Sequence, residues 1–134
     1  MIFKQLFDTK SSTYTYIISS GIGREALLID PVIENTQDYL DILNNLKLKL
    51  VKVIDTHIHA DHISGLKELQ TQTNCLTIMG EKSLSEIVTL KVKDGEKIKI
   101  ENIELTSIYT PGHTDDSYSF LMNDRVFTGD TLLI

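Results

Sequence analysis

Apolar and polar residues follow one another along this chain in short blocks, and each block predicts an element. Ile2 to Phe7 alternates loosely and reads as a strand, with Lys10-Ser11-Ser12 as the turn behind it. Thr13 to Ser19 is dense in β-branched and aromatic residues, the composition of a second strand. Gly21-Ile22-Gly23 turns the chain into Glu25 to Asp30, an apolar run suited to an interior strand, which Pro31 ends. From Thr36 to Leu46 the spacing of Leu40, Ile42, Leu43 and Leu46 predicts a helix, with Asn35 or Thr36 placed to cap it. Leu50 to Asp55 is a further strand. Ile63 to Gln70 follows as a second helix, with Ile63, Leu66 and Leu69 on its inner side.

Beyond it, Leu76 to Met79 reads as a short strand, Glu81 to Glu86 as a short helix and Asp94-Gly95 as a turn. Lys97 to Ile100 and Ile103 to Ile108 read as strands paired about Glu101-Asn102. The lysines of Lys91-Val92-Lys93 and Lys97-Ile98-Lys99 alternate with apolar residues and belong on wet strand faces. Tyr118 to Leu121 and Arg125 to Phe127 predict a hairpin about Asn123-Asp124. No repeat, linker or low-complexity segment interrupts the chain. Strands precede and separate helices without strict alternation, so the fold class is α+β, with layered mixed sheets rather than a doubly wound one.

Composition narrows the partners. With 134 residues the chain is one domain or part of one, and 13 basic against 19 acidic residues leave a net charge of −6. That balance, without a Lys/Arg stripe, argues against nucleic acid. No apolar run is long enough for a bilayer and no basic-then-apolar leader opens the chain, so a cytoplasmic protein without a membrane partner is expected. The single cysteine, Cys75, has no internal disulfide partner, which fits a reducing compartment. It precedes an apolar strand with no basic neighbour, the setting of a buried rather than a reactive thiol.

Candidate chemistry is concentrated in three places. Thr56-His57-Ile58-His59-Ala60-Asp61-His62 holds three of the four histidines in the chain, and the fourth, His113, stands in Thr110-Pro111-Gly112-His113-Thr114. Thr128-Gly129-Asp130-Thr131 adds a carboxylate. His57 and His59, two apart in an extended segment, face the same way, while Asp61 and His62 open the following helix. All six candidates stand at strand-to-loop transitions, and imidazole confined to them points to a metal site. Asp61 also suits a helix N-cap. Asp30 and Asp55 read as strand-end carboxylates that hold loops by hydrogen bonds.

His57-x-His59-x-Asp61-His62, followed by Pro111-Gly112-His113-Thr114 and Gly129-Asp130, resembles the pattern of the metallo-β-lactamase superfamily. The resemblance implies a four-layer αβ/βα sandwich, two sheets flanked by helices, with the metal at one edge. It speaks less to reaction, since the superfamily includes thioester hydrolases, lactamases, nucleases and dioxygenases. Ser12 to Tyr16, Asp30-Pro31-Val32 and Phe127 to Ile134 resemble persulfide dioxygenases, and His113 to Phe120 resembles their bacterial branch. Glyoxalase II shares the metal motif but has an aromatic where Leu133 stands.

The resemblance further implies that His57, His113 and Asp130 are catalytic and hold one Fe(II) per chain, the facial arrangement of two imidazoles and a carboxylate. Zn(II) is the alternative ion, since it binds such ligands more tightly than Fe(II). His59, Asp61 and His62 would orient the ligands and bound water, or hold a second metal as in the dinuclear hydrolases. The implied substrates are glutathione persulfide, or a similar thiol derivative, and O2, giving sulfite and glutathione. A glyoxalase II-like thioester hydrolase and a catalytically incomplete metal-binding fragment are the alternatives. Relatives continue past the equivalent of Ile134 with a Gly-Cys-Gly-Arg-like stretch and a further histidine. Residues 1–134 are therefore expected to be the N-terminal part of the domain, with a single-metal site. Leu132-Leu133-Ile134 would then be an apolar edge available for a homo-oligomer or for pairing with a missing half.

Overall fold

The computed structural model describes residues 1–57, 64–83, 88–111 and 116–128. The first sheet has six strands in chain order: β1 (Ile2–Asp8), β2 (Thr13–Ser19), β3 (Glu25–Ile29), β4 (Lys49–Ile54), β5 (Leu76–Gly80) and β6 (Leu90–Val92). Its first three strands pair antiparallel, and β3 through β6 run parallel. Parallel neighbours need crossovers, and helices α1 (Thr36–Asn45) and α2 (Leu66–Thr73) supply two of them. The second sheet is an antiparallel meander of β7 (Lys97–Ile100), β8 (Ile103–Tyr109), β9 (Tyr118–Leu121) and β10 (Val126–Phe127).

Two apolar layers hold these elements. Between the sheets, Ile18, Leu27, Ile29, Ile54 and Ile78 of the first meet Ile98, Leu105, Tyr118, Phe120 and Phe127 of the second. On the other face of the first sheet, Ile17, Leu28 and Val53 pack against Tyr39 and Leu43 of α1 and Leu66 and Leu69 of α2. Each fully buried aliphatic side chain contributes about 1.5–3 kcal/mol. Leu27-Leu28-Ile29 is buried on both faces, as its unbroken apolar run predicts. In β7 the alternation is clean: Ile98 and Ile100 are buried while Lys97 and Lys99 stay in water and bracket Glu104 at 3.2 and 3.4 Å. No helix among the described residues is long and apolar enough to cross a membrane.

Three local expectations change. Asn35 stands at the α1 N-cap but its side chain makes no capping bond; Asn35 Nδ2 donates to Asp8 Oδ1 at 3.1 Å. A 3-10 turn at Ile33–Asn35 leads into the helix instead, and Thr36 Oγ1 donates back to Ile33 O at 2.7 Å. The second helix starts at Leu66, because Ser64 forms an antiparallel bridge with Val32. Leu66 and Leu69 are buried as expected, and Ile63 lies outside the described residues. Of the short helix expected over 81–86, Glu81 and Lys82 form a turn, with the Ser83 N–H donating to Gly80 O at 3.0 Å. Residues 84–86 and the edge at 132–134 lie outside the described residues.

Cys75 is buried at 3 % exposure, and that burial pushes its thiol pKa up. The thiolate is the reacting species, so alkylation of the native protein by iodoacetamide at pH 8 should run at least ~10-fold slower than in denaturant. Equal rates would contradict the burial.

Candidate metal centre

The parallel strands β3, β4 and β5 end on one edge of the first sheet, the edge where open α/β sheets gather their functional groups. β3 hands over to Asp30, which is buried and adopts a left-handed backbone at φ 55°. A short polar side chain tolerates this conformation better than most. The Asp30 N–H continues the ladder by donating to Ile54 O at 2.7 Å. Its carboxylate turns to the end of β4, where Oδ1 accepts from the Thr56 N–H at 2.8 Å and Oδ2 from Thr56 Oγ1 at 2.9 Å. Asp30 thus ties two strand ends together, as a strand-end carboxylate was expected to do.

Counting protons then fixes the state of His57. Thr56 Oγ1 carries one proton, and an ionised carboxylate can only accept, so that proton belongs to Asp30. Thr56 Oγ1 also lies 2.9 Å from His57 Nδ1. The hydroxyl must accept there, which makes Nδ1 a protonated nitrogen and, in the neutral ring, leaves the lone pair on Nε2. A buried imidazole held by an N–H bond from one nitrogen, with its lone pair on the other, is in the form that ligates a divalent metal. The described part of the donor set therefore fits a metal.

The next residues form an arch over this arrangement. Pro31 O accepts from the Gly65 N–H at 2.9 Å, and Val32 pairs with Ser64. Residues 30–32 therefore grip the chain at Thr56 and again at Ser64 and Gly65, on either side of the histidine motif. Gly65 is packed so closely that a Cβ there would approach Pro31 Cβ at 3.2 Å.

The second sheet reaches the same edge. The Tyr118 N–H donates to Thr56 O at 2.8 Å, joining the start of β9 to the end of β4. The loop that carries His113 is closed at its base by the Thr110 N–H on Ser117 O at 3.0 Å and by Thr110 Oγ1 against Ser119 Oγ at 2.9 Å. The Tyr118 ring, 1 % exposed, lies over Gly80, where any Cβ would fall inside the ring's own volume. Burial, then the charge of Glu81, pushes the Tyr118 phenol above its ordinary range, so it stays a neutral packing group. At the end of β10, Phe127 packs edge-on against Tyr16 with centroids 4.8 Å apart. Burial, followed by the charge of Asp30, likewise pushes the Tyr16 phenol up. Thr128, next to the Gly129-Asp130 pair, has a buried Oγ1 with no hydrogen-bond partner among the described residues.

Of the six residues proposed from sequence, only His57 is among the described residues; His59, Asp61, His62, His113 and Asp130 lie outside them. Among the described residues no three His, Cys, Asp or Glu side chains gather to hold a metal. What the structure brings together is the support of the three motifs: Asp30 and Thr56 beside His57, the base of the His113 loop on Thr56, and Phe127 against β2. Thr56 stands inside the motif without a role that spacing reveals, and its hydroxyl next to a candidate ligand is the available signal.

Known proteins resemble this chain in sequence and fold. A match to the metallo-beta-lactamase superfamily spans residues 8–89. The mitochondrial persulfide dioxygenase ETHE1 of Mus musculus is 36% identical over 137 aligned residues, which cover 100% of this chain and 54% of that protein. A hydroxyacylglutathione hydrolase from Pseudoalteromonas translucida is 30% identical, over 91% of this chain and 47% of its own. The crystal structure of ETHE1 from Myxococcus xanthus superposes with a TM-score of 0.94 at 43% identity, covering 100% of this chain and 59% of that one. The chain spans about half the length of the curated relatives it matches. Helices, a mixed sheet and an antiparallel sheet stack as three layers among the described residues, with His57 at the end of β4. With the family match over most of its length, this chain belongs to the metallo-beta-lactamase superfamily.

Proposed function

We propose that the protein is an Fe(II)-dependent persulfide dioxygenase that oxidises glutathione persulfide, and that residues 1–134 are the N-terminal part of its metallo-β-lactamase-like domain. The observation that carries the reading is identity along the whole chain, 36% to a persulfide dioxygenase against 30% over 91% of the chain to a hydroxyacylglutathione hydrolase. The balanced reaction takes the persulfide, O2 and water to glutathione, sulfite and two protons. The terminal sulfur is oxidised and O2 is reduced.

His57, His113 and Asp130 are the proposed ligands, with His59, Asp61 and His62 around them. When bound, Fe(II) would supply open positions for sulfur and O2 and the electrons that dioxygen activation needs. The chain's own contribution is placement. Asp30 and Thr56 hold the Nδ1 proton of His57 and so keep Nε2 available as a donor. The backbone bond from Tyr118 to Thr56 sets the second-sheet loop beside that ligand. Asp30, Thr56 and His57 are all buried, and a dry surrounding strengthens the hydrogen bonds between them.

The test is oxygen uptake with glutathione persulfide after anaerobic loading with Fe(II), with sulfite assayed in parallel. Uptake matched by sulfite, and lost in His57→Ala, is expected. The second reading is a thioester hydrolase, favoured by the hydroxyacylglutathione hydrolases among the relatives. Cleavage of S-lactoylglutathione without O2, and no persulfide-dependent uptake, would establish it instead. Neither activity in chain fully loaded with metal would mark a metal-binding fragment.

A further inference from the structure

Helix α1 is far from any candidate ligand in sequence, yet one of its side chains enters the support of the motif. Tyr39 is 1 % exposed, and its hydroxyl accepts from the Val32 N–H at 3.0 Å. The same hydroxyl lies 3.1 Å from Thr15 Oγ1. Thr15, also 1 % exposed, donates its one proton to Asp30 O at 2.7 Å. Tyr39 must therefore donate to Thr15, and the chain of bonds has a single direction: Val32 N–H to Tyr39, Tyr39 to Thr15, Thr15 to Asp30 O. Its two ends are the two ends of the arch. Asp30 sets Thr56 and, through it, the Nδ1 proton of His57, while Val32 pairs with Ser64 on the far side of the motif.

We propose that Tyr39 is a positioning residue for metal binding: its hydroxyl, through Thr15, fixes the Asp30–Val32 arch that holds the histidine motif at both ends. The inference rests on the metal-centre reading and is independent of whether the reaction is oxidative or hydrolytic. A phenol is suited to the role because it both donates and accepts from a rigid ring buried against Leu43 and Val53 in the same core layer. Removing the hydroxyl alone leaves the ring in place, the Val32 N–H without its partner and Thr15 without its donor. The arch then loses its fixed geometry while the layer of apolar contacts is kept.

The experiment is Co(II) titration of the protein in competition with a chelator, following the visible ligand-field absorption, on the wild type, Tyr39→Phe and Leu43→Ala. Leu43 sits on the same helix, is buried in the same apolar layer and carries no polar group, so its truncation removes packing and no hydrogen bond. Tyr39→Phe should weaken Co(II) binding about 10-fold and alter the absorption band, the size of effect seen when a group that orients a ligand is removed. Leu43→Ala should melt at lower temperature than Tyr39→Phe and bind Co(II) as the wild type does. Wild-type affinity in Tyr39→Phe, or an equal loss in Leu43→Ala, would overturn the inference and leave the metal centre standing. Failure of the wild type to bind Co(II) at all would overturn both.

Discussion

Replacing Asp30 by asparagine is expected to cut metal affinity by about 10- to 100-fold although the side chain keeps its shape. The Thr56 N–H needs an acceptor, so the amide oxygen must take the place of Oδ1, and Nδ2 then faces Thr56 Oγ1. An amide nitrogen donates where a carboxylate oxygen accepted. Thr56 is forced to accept from it and to turn its own proton toward His57 Nδ1. The ring tautomer reverses, Nε2 becomes the protonated nitrogen, and its lone pair is no longer directed at the metal. Stability should fall by only about 1 kcal/mol, since each polar group still has a partner. Zinc competition against a chromophoric chelator measures the affinity, and nitrogen-15 NMR of the imidazole reads the tautomer. Thr56→Ser should behave as the wild type, whereas Thr56→Val should lose affinity as Asp30→Asn does. Wild-type zinc binding in Asp30→Asn with Nδ1 still protonated would refute the proton assignment.

Gly80→Ala should be the most destabilising single methyl that can be added to the described strands. The new Cβ has no free space, because the fully buried Tyr118 ring occupies it, and that ring is itself packed against Tyr109 with centroids 5.1 Å apart. Overpacking of this kind costs about 3 kcal/mol, at the upper end of the usual range, because neither the strand nor the ring can retreat. For a chain of this size that is a fall in melting temperature of about 10 °C. The damage should extend to the metal site, since moving Tyr118 also moves the N–H that bonds Thr56 O. Tyr118→Leu in the same chain should recover part of the loss, a non-additivity expected of groups in contact. A melt within about 2 °C of the wild type would show that the sheet edge relaxes freely.

Much of this architecture is legible in local pattern, and the places where it is not share one cause. The alternation in β7 and the apolar run in β3 each report their own burial, so those strands are readable from a few residues. The leucine stripe of α1 gives the helix, but Leu40, Ile42 and Leu46 are only partly buried while Tyr39 is fully so. Tyr39 is drawn inward by Thr15 and Val32, partners that periodicity does not reveal. The start of α2 and the missing Asn35 cap have similar origins, a bridge from Ser64 to Val32 and a bond from Asn35 to Asp8. In each case a distant polar group outcompetes local propensity. The histidine motif is legible as a candidate because its spacing is chemistry written in sequence, and of its histidines only His57 lies among the described residues. Thr56, Thr15 and Gly80 carry no such spacing, and their parts depend on neighbours that only folding supplies.

The Asp30–Thr56 arm lies wholly within the first sheet, whereas His113 follows β8 in the chain and Asp130 follows β10. The two portions differ in what they can change. The first fixes one donor through buried side-chain bonds with little tolerance for variation, while the second meets it through a backbone bond, Tyr118 N–H to Thr56 O, that does not depend on side-chain identity. A superfamily in which one similar protein is called a persulfide dioxygenase and another a hydroxyacylglutathione hydrolase has the layout this division favours. On the proposed reading one sheet anchors the metal, and the other is the side on which a new reaction can be tried.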